Sequence, residues 1–348
     1  MNMQKEKVLF LEWLRGVCAI TVVLDHVAIS AIHYYEEGAS ALDKFIYNGI
    51  QHWTHFAVPV FLMISGYLLL DPLKPIDYKK AIGKYAKRMT VVLLTIGAAF
   101  TYMEIYFSSK TFCLTDVGNA VYLTLCGKTW DHLWYLYTMI GIYLILPALK
   151  PLFQCLSSRV IDTLLAILFC FDSLLPTIAH FSGFSVGVSL PMGSIFLFYF
   201  LLGGRLRTLC KPCCINSVIV LLMFLPFILA YFEYMHGKLS LLVLSGYSSP
   251  VIVAFAVSVF LFFHKLNMCA KPSQKPIGGG KIMQHISDNS FGIYIFHMLW
   301  VNLLYKVFRL NPLDYPLLIL VPILVVVFLL SDLTTVVYKK IPVIGKFI

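Results

Sequence analysis

The chain has 348 residues, of which 59% are apolar and 13% charged, and its mean hydropathy is +0.83. A soluble globular protein carries about 25% charged residues, so this composition excludes a soluble enzyme, and its charge density is far too low for a disordered chain. The formal net charge of +10 would suit a nucleic-acid-binding protein, but the basic residues lie mainly between the apolar segments.

Ten segments are apolar enough and long enough to cross a membrane, which takes about 20 residues. In chain order they are residues 8–32, 52–70, 82–108, 131–150, 160–179, 191–209, 215–235, 249–265, 286–308 and 315–338. The fifth is the weakest, because Asp162, Asp172 and Pro176 interrupt it, and the first is too long and too charged for a signal peptide. We predict an all-α polytopic membrane helical bundle of about ten transmembrane helices that forms one domain over residues 1–348, with no soluble domain.

The orientation follows from the lysine and arginine residues of the connections. With the N-terminus inside, 20 of them lie in predicted cytoplasmic segments and 6 in outer segments, and Arg15 within the first span completes the 27. This asymmetry predicts that both termini are cytoplasmic. It also explains the basic charge without a nucleic-acid partner.

The cysteines indicate neither a disulfide scaffold nor a metal site. Cys210, Cys213 and Cys214 form a CKPCC segment, but no fourth ligand lies nearby, so we expect three reduced thiols and no metal. Cys113 and Cys126 fall in one predicted outer loop, where a disulfide is an open alternative.

The first span carries four polar side chains, Glu12, Arg15, Asp25 and His26, although one charge at the centre of a spanning helix costs about 2.5–3.5 kcal/mol. At 100° per residue, Arg15 and His26 lie about 20° apart and Glu12 about 40° from His26, so the three share a face. Arg15 and His26 are separated by about 16 Å along the axis, and Asp25 points about 100° away. A Glu12–Arg15 ion pair with a merely structural His26 is the alternative, but an acid, a cation and an imidazole on one stripe favour function.

Two other spans present polar side chains that could support such a site. In the ninth span, Ser290, Tyr294 and His297 fall at i, i+4 and i+7 and therefore share a face. Ser65 and Gly66 lie in the SGY segment at the predicted cytoplasmic end of the second span, where small residues allow close helix packing.

Aromatic and histidine residues gather on the predicted outer side. The fourth span opens with WDHLWYLY, which places His132 and Trp134 where a sugar could stack and bond; for Trp130 we favour a role at the membrane interface. His52 and His55 begin the second span on the same side and fit a site and an interface equally well.

Taken in order, four segments resemble the type 3 acyltransferase family of integral membrane O-acyltransferases, over essentially the whole chain. They are FLEWLRGVCAITVVLDHV, FAVPVFLMISGYLLL, HLWYLYTMIGIYLILP and SFGIYIFHMLW. The resemblance implies transfer of an acyl group, usually acetyl from cytoplasmic acetyl-CoA, to a hydroxyl of a cell-envelope carbohydrate or lipid-linked glycan in a bacterial cell membrane. The family's Arg and His motif falls on Arg15 and His26, which implies that His26 is essential for transfer and that Arg15 contacts the donor or supports the site.

The residues fit that chemistry, because a positioned imidazole can take the proton of a sugar hydroxyl as the thioester is attacked. Arg15 suits the phosphates of an acyl-CoA donor, and we expect acyl-CoA as a substrate and no permanently bound cofactor. The expected partners are therefore acyl-CoA, a carbohydrate acceptor and membrane lipid. Whether His26 is a base or briefly carries the acyl group stays open. The alternative function is a polysaccharide or small-solute exporter or permease, which would be expected to show broken helices at the bilayer midplane or a polar conduit.

Overall fold

The computed structural model describes residues 2–183, 187–188, 190, 193–208, 222, 224–226, 228, 231, 235, 246–269, 280–314 and 318–348. These residues are predominantly helical, with no strand among them. We number the helices α1 (Asn2–Tyr35), α2 (Ala41–Thr54), α3 (Ala57–Leu69), α4 (Tyr78–Ser109), α5 (Thr115–Leu125), α6 (Asp131–Cys155), α7 (Ser158–Ser182), α8 (Ile195–Thr208), α9 (Pro250–Cys269), α10 (Gly280–Asn302) and α11 (Leu320–Lys339).

Five of the described helices are long and apolar enough to cross a membrane by themselves, namely α4, α6, α7, α11 and residues Phe10–Tyr35 of α1. This confirms the all-α multi-pass membrane bundle. The number of ten spans and the cytoplasmic placement of both termini stay predictions. Most of the predicted span 215–235 lies outside the described residues.

The predicted span 52–70 is not one helix. It consists of the end of α2 and the 13 residues of α3, which are separated by a turn at His55 and Phe56. The physical reason is Pro59, which has no N–H to donate to the carbonyl of His55 and whose ring clashes with that carbonyl. His52 therefore belongs to α2, and His55 lies at the break.

The weakest predicted span, 160–179, is in contrast a continuous helix, α7. Its polar interruptions are accommodated locally: Cys170–Leu174 widens into a π-helical turn just before Pro176. The wider turn adjusts the backbone where Pro176 cannot donate to the carbonyl of Asp172.

The contacts divide the chain into two compact units. The first comprises Met1–Asp71 and Ser157–Asp332, and the second Pro72–Leu156 and Leu333–Ile348. The prediction of a single domain stays a prediction.

In the first unit, α1 and α10 run in the same direction. Gly16 of α1 lies against Met283 of α10, and near the other end the Tyr34 hydroxyl donates to Asn302 (2.8 Å). Helix α3 runs opposite to α1, because Phe10 at the start of α1 contacts Tyr67 at the end of α3. These directions agree with the predicted alternation, in which spans 1 and 9 cross one way and span 2 the other.

Helices α3 and α8 pack backbone to backbone. A Cβ atom at Gly66 would overlap the carbonyl group of Phe200, and one at Gly203 would overlap the carbonyl group of Met63. Gly66 thus faces Phe200, three residues before Gly203, and Gly203 faces Met63, three residues before Gly66. Such an arrangement is expected where small residues let two membrane helices cross closely. The expected close packing at the SGY segment is therefore found at Gly66.

The second unit is built on α4, α5 and α6. Tyr85 of α4 contacts Tyr143 of α6, with ring centroids 5.6 Å apart, and the Tyr137 hydroxyl of α6 donates to the carbonyl of Thr124 in α5. The Lys150 ammonium donates to the carbonyl of Lys74 (2.6 Å). The first two contacts join α6 to α4 and to α5, and the third joins α6 to the segment before α4.

Candidate active site

Two imidazole rings meet between α1 and α10. The centroids of His26 and His297 are 4.7 Å apart, and the ring planes are inclined by 70°. The His297 residue is completely buried, whereas the His26 side chain keeps 22% of its surface exposed. His26 is thus the imidazole that a substrate can reach, and His297 forms part of the wall behind it.

Hydrogen bonds fix which nitrogen of each neutral ring carries the proton. Nδ1 of His26 lies 2.9 Å from the carbonyl oxygen of Val22, and Nδ1 of His297 lies 2.7 Å from that of Tyr294. A carbonyl oxygen only accepts, so each Nδ1 must be the donor. In the neutral state the Nε2 atom of each ring therefore holds a lone pair, which is the form a general base needs.

Asp25 joins this cluster from the neighbouring face of α1. Its carboxylate accepts a 2.6 Å hydrogen bond from the Thr54 hydroxyl and lies 3.8 Å from Nε2 of His55 and 3.9 Å from Nδ1 of His26. The His55 ring in turn lies 5.2 Å from the ring of Tyr247. The polar groups at this point of the first unit thus come from α1, the α2–α3 turn and the segment before α9.

The sequence left His55 open between a site and an interface, and it assigned Asp25 to a contact other than His26. The angular argument put Asp25 about 100° from His26. Its carboxylate does accept a hydrogen bond from Thr54, but it also lies 3.9 Å from Nδ1 of His26. The sequence signal that could have linked His55 with Asp25 is Pro59, because a proline can break a helix near the residue four positions before it. That break is where Thr54 and His55 turn towards Asp25.

The opposite end of the α1 stripe carries Arg15 and Glu12, both half-buried. Glu12 lies close enough to Arg15 and to Asp288 of α10 to interact electrostatically with both. Gly16 allows this approach, since a Cβ atom there would lie 2.7 Å from Sδ of Met283. Glu12 therefore interacts with both helices, and the pairing of Arg15 with Glu12 stays an alternative to a donor contact.

The family model described as an acyltransferase domain matches residues 8–336 of this chain. The chain belongs to the type 3 acyltransferase family. Comparison with curated proteins and with solved structures gives no significant match. The protein is accordingly a membrane acyltransferase, and residues 8–336 include both imidazoles and Arg15.

Three predicted supporting residues of the acyltransferase lie in its first unit. The Tyr294 ring is 6.0 Å from that of His297 and so borders the imidazole pair. The Ser65 hydroxyl donates to the carbonyl of Phe61 (2.9 Å), and the Ser290 hydroxyl to that of Ser287 (2.8 Å). Both serine protons are used within their own helices, and the supporting roles of these two residues stay predictions.

His132 and Trp134 belong to the second unit of the acyltransferase. The buried His132 ring lies 6.2 Å from Trp130 and 6.3 Å from Phe100, and Trp134 lies 6.1 Å from Tyr135. The structure thus surrounds His132 with aromatic rings, as the WDHLWYLY segment suggested. Their part in the transfer reaction stays a prediction.

Two acid–arginine pairs were not foreseen in the acyltransferase. Arg207 of α8 lies 2.7 Å from the buried carboxylate of Asp71 and 4.9 Å above the ring of Tyr67. Arg205 forms a bidentate pair with Asp162, at 2.6 and 2.8 Å. Both arginines had been counted only as cytoplasmic charges, and their partners lie too far away in the sequence for a local pattern to reveal them.

The cysteine predictions concern one connection that is predicted to lie outside the membrane and one segment that is outside the described residues. Cys113 and Cys126 are free and exposed, so the structure does not contain the disulfide that was left open. The Thr115 hydroxyl lies 2.9 Å from Sγ of Cys113 and lowers the pKa of that thiol. Cys210, Cys213 and Cys214 lie outside the described residues, among which no group of His, Cys, Asp or Glu could hold a metal ion.

Proposed function

We propose that this acyltransferase moves an acetyl group from cytoplasmic acetyl-CoA to a hydroxyl of a cell-envelope glycan or lipid-linked sugar in a bacterial cell membrane. The observation that carries the proposal is the partly exposed His26, whose Nδ1 bonds to its own helix. Because this bond makes Nδ1 the donor, Nε2 is the nitrogen of the neutral ring that can take a proton from the acceptor hydroxyl. The family contributes the reaction class, and the residues contribute the acid–base chemistry.

In the proposed step, Nε2 of His26 takes the proton of the acceptor hydroxyl as its oxygen attacks the thioester carbonyl. A carbon–oxygen bond forms, and the tetrahedral intermediate then collapses with cleavage of the carbon–sulfur bond. The departing thiolate of CoA receives the proton back from the His26 imidazolium. The products are the O-acetylated sugar and CoA, and His26 returns to its neutral form.

Asp25 is placed to stabilise the imidazolium that forms in this step. One of its carboxylate oxygens lies 3.9 Å from Nδ1 of His26, and the residue is 8% exposed. Opposite charges at such a separation attract more strongly within a protein than in water. The hydrogen bond from Thr54 holds the carboxylate in place, so Asp25 acts as a positioning residue.

Arg15 is proposed to contact the phosphates of the donor. It lies on the same stripe of α1 as His26, about 16 Å away along an unbroken helix. CoA is an extended molecule whose phosphates and thioester lie at opposite ends. A donor lying along α1 would thus place its charges at Arg15 and its reacting carbon near His26.

The deciding experiment measures CoA release and acyl transfer by the purified protein in lipid nanodiscs. Radiolabelled acetyl-CoA is supplied with a neutral oligosaccharide acceptor, and succinyl-CoA and palmitoyl-CoA serve as alternative donors. The matched control is His33→Ala, a histidine exposed on the same helix. We expect turnover by the wild type and by His33→Ala and loss in His26→Ala. Release of CoA that is equal in His26→Ala and the wild type would refute the proposal.

A further inference from the structure

The second unit contains a cavity of about 530 Å³ between the end of α4, α5 and the loop before α6. This volume lies within the range of about 300–1,000 Å³ that is typical of small-molecule sites. Its polar lining comprises Thr101, Glu104, Ser108, Ser109, Lys128, Thr129 and Trp130. All of these residues belong to one unit, so the cavity is complete within it.

One wall of the cavity is held rigidly by threonine hydroxyls from three segments. The Thr101 hydroxyl lies 2.9 Å from that of Thr129 and 3.1 Å from that of Thr124. Thr129 also lies within hydrogen-bond distance of the carbonyl oxygen of Gly97 (3.2 Å). Thr101 and Thr124 are buried, and networks of this kind specify one arrangement of the chain around them.

Trp130 is oriented by two further contacts. Its indole stacks on Phe100, with centroids 4.3 Å apart and planes inclined by 13°, and its Nε1 donates to the Glu104 carboxylate (3.3 Å). Phe100 covers one face of the indole and does not line the cavity, whereas Trp130 does. The ring is thereby held in place before any ligand arrives.

We propose that this cavity binds one neutral sugar ring of the acceptor glycan. The indole offers an apolar platform for the C–H face of the ring. Glu104 accepts hydrogen bonds from sugar hydroxyls, and Lys128 donates them. One carboxylate and one ammonium balance each other, which favours a neutral ligand over an anionic or cationic one. A lipid chain has no group that could form a hydrogen bond with either charge.

The assignment rests on the proposed function for its ligand class, and its test therefore measures binding rather than turnover. The full-length protein in nanodiscs is titrated calorimetrically with maltotetraose and chitotetraose as neutral probes, and with tetragalacturonate as an anionic probe. The variants are Trp130→Ala, Trp130→Phe and Glu104→Gln. The control is Tyr122→Ala, which removes an exposed aromatic ring of α5 that does not line the cavity.

We expect a neutral probe to bind the wild type and the control equally, and Trp130→Ala to lose about two- to tenfold in affinity, the range of one aromatic stacking contact. Trp130→Phe should retain more affinity than Trp130→Ala, which separates stacking from misfolding. The assignment would be overturned by any one of three results: an affinity that is unchanged in Trp130→Ala, a preference for the anionic probe, or failure of both neutral probes to bind. His26→Ala should bind normally, and binding without any acyl transfer by the wild type would refute the proposed function alone.

Discussion

Replacing His26 by asparagine separates its chemical role from its structural role. The asparagine amide N–H₂ can occupy the position of Nδ1 and still donate to the carbonyl of Val22, which His26 contacts at 2.9 Å. It provides no basic nitrogen at the position of Nε2. The substitution thus keeps the local hydrogen bond and removes the proposed base.

The structure sets the expected magnitudes. Loss of general-base assistance lowers a rate by about 10²–10⁴-fold, which corresponds to about 2.7–5.4 kcal/mol of activation free energy. The stability change should be much smaller, about 1 kcal/mol or less, since a typical hydrogen bond contributes about that amount and His26 is partly exposed. The melting temperature in detergent should therefore shift by a few degrees at most.

His297→Ala is the comparison, because it should show the opposite balance. His297 is fully buried, so truncation leaves a cavity and should lower the melting temperature more than His26→Asn does. Its ring only borders His26, at 4.7 Å between centroids, so the loss of transfer per folded molecule should be smaller. Single-turnover transfer from acetyl-CoA, normalised to monomeric protein, measures both. A folded His26→Asn protein that keeps more than about a tenth of wild-type transfer would refute the role of His26 as the base.

Three further predictions concern the donor, the packing and the orientation. Arg15→Ala should weaken binding of radiolabelled acetyl-CoA more than Arg15→Lys does, because lysine keeps the charge but lacks the planar fork; unchanged affinity in Arg15→Ala would remove the donor contact. Gly66→Ala should lower the melting temperature, because its Cβ would overlap a backbone carbonyl and overpacking costs about 1–3 kcal/mol or more. Gly141→Ala, which meets open space, should not lower it, and equal effects would contradict the packing argument. In single-cysteine variants of intact cells, an impermeant maleimide should label the exposed Cys113 and not the exposed Cys155, and the reverse pattern would invert the topology.

The sequence determined the class of the protein and the relative directions of α1, α3 and α10. Hydropathy fixes which segments enter the membrane, because an apolar stretch has one favourable environment whatever its neighbours are. Helical periodicity then placed Arg15 and His26 on one stripe of α1, and Tyr294 and His297 on one face of α10. The common direction of α1 and α10 agrees with the alternation that the basic residues predict.

Only the tertiary structure decided which of these faces meet. No local sequence pattern predicts that the face of α1 with Arg15 and His26 packs against α10 rather than another helix. The neighbour of that face depends on the packing of all the helices in the unit. The contacts that make it visible join residues far apart in the chain, such as His26 with His297 and Asp25 with Thr54. The meeting of Gly66 with Phe200 likewise depends on where the backbone of another helix lies. Periodicity orients a side chain about its own helix, whereas the site requires the positions of several helices, and those follow from close packing of the whole unit.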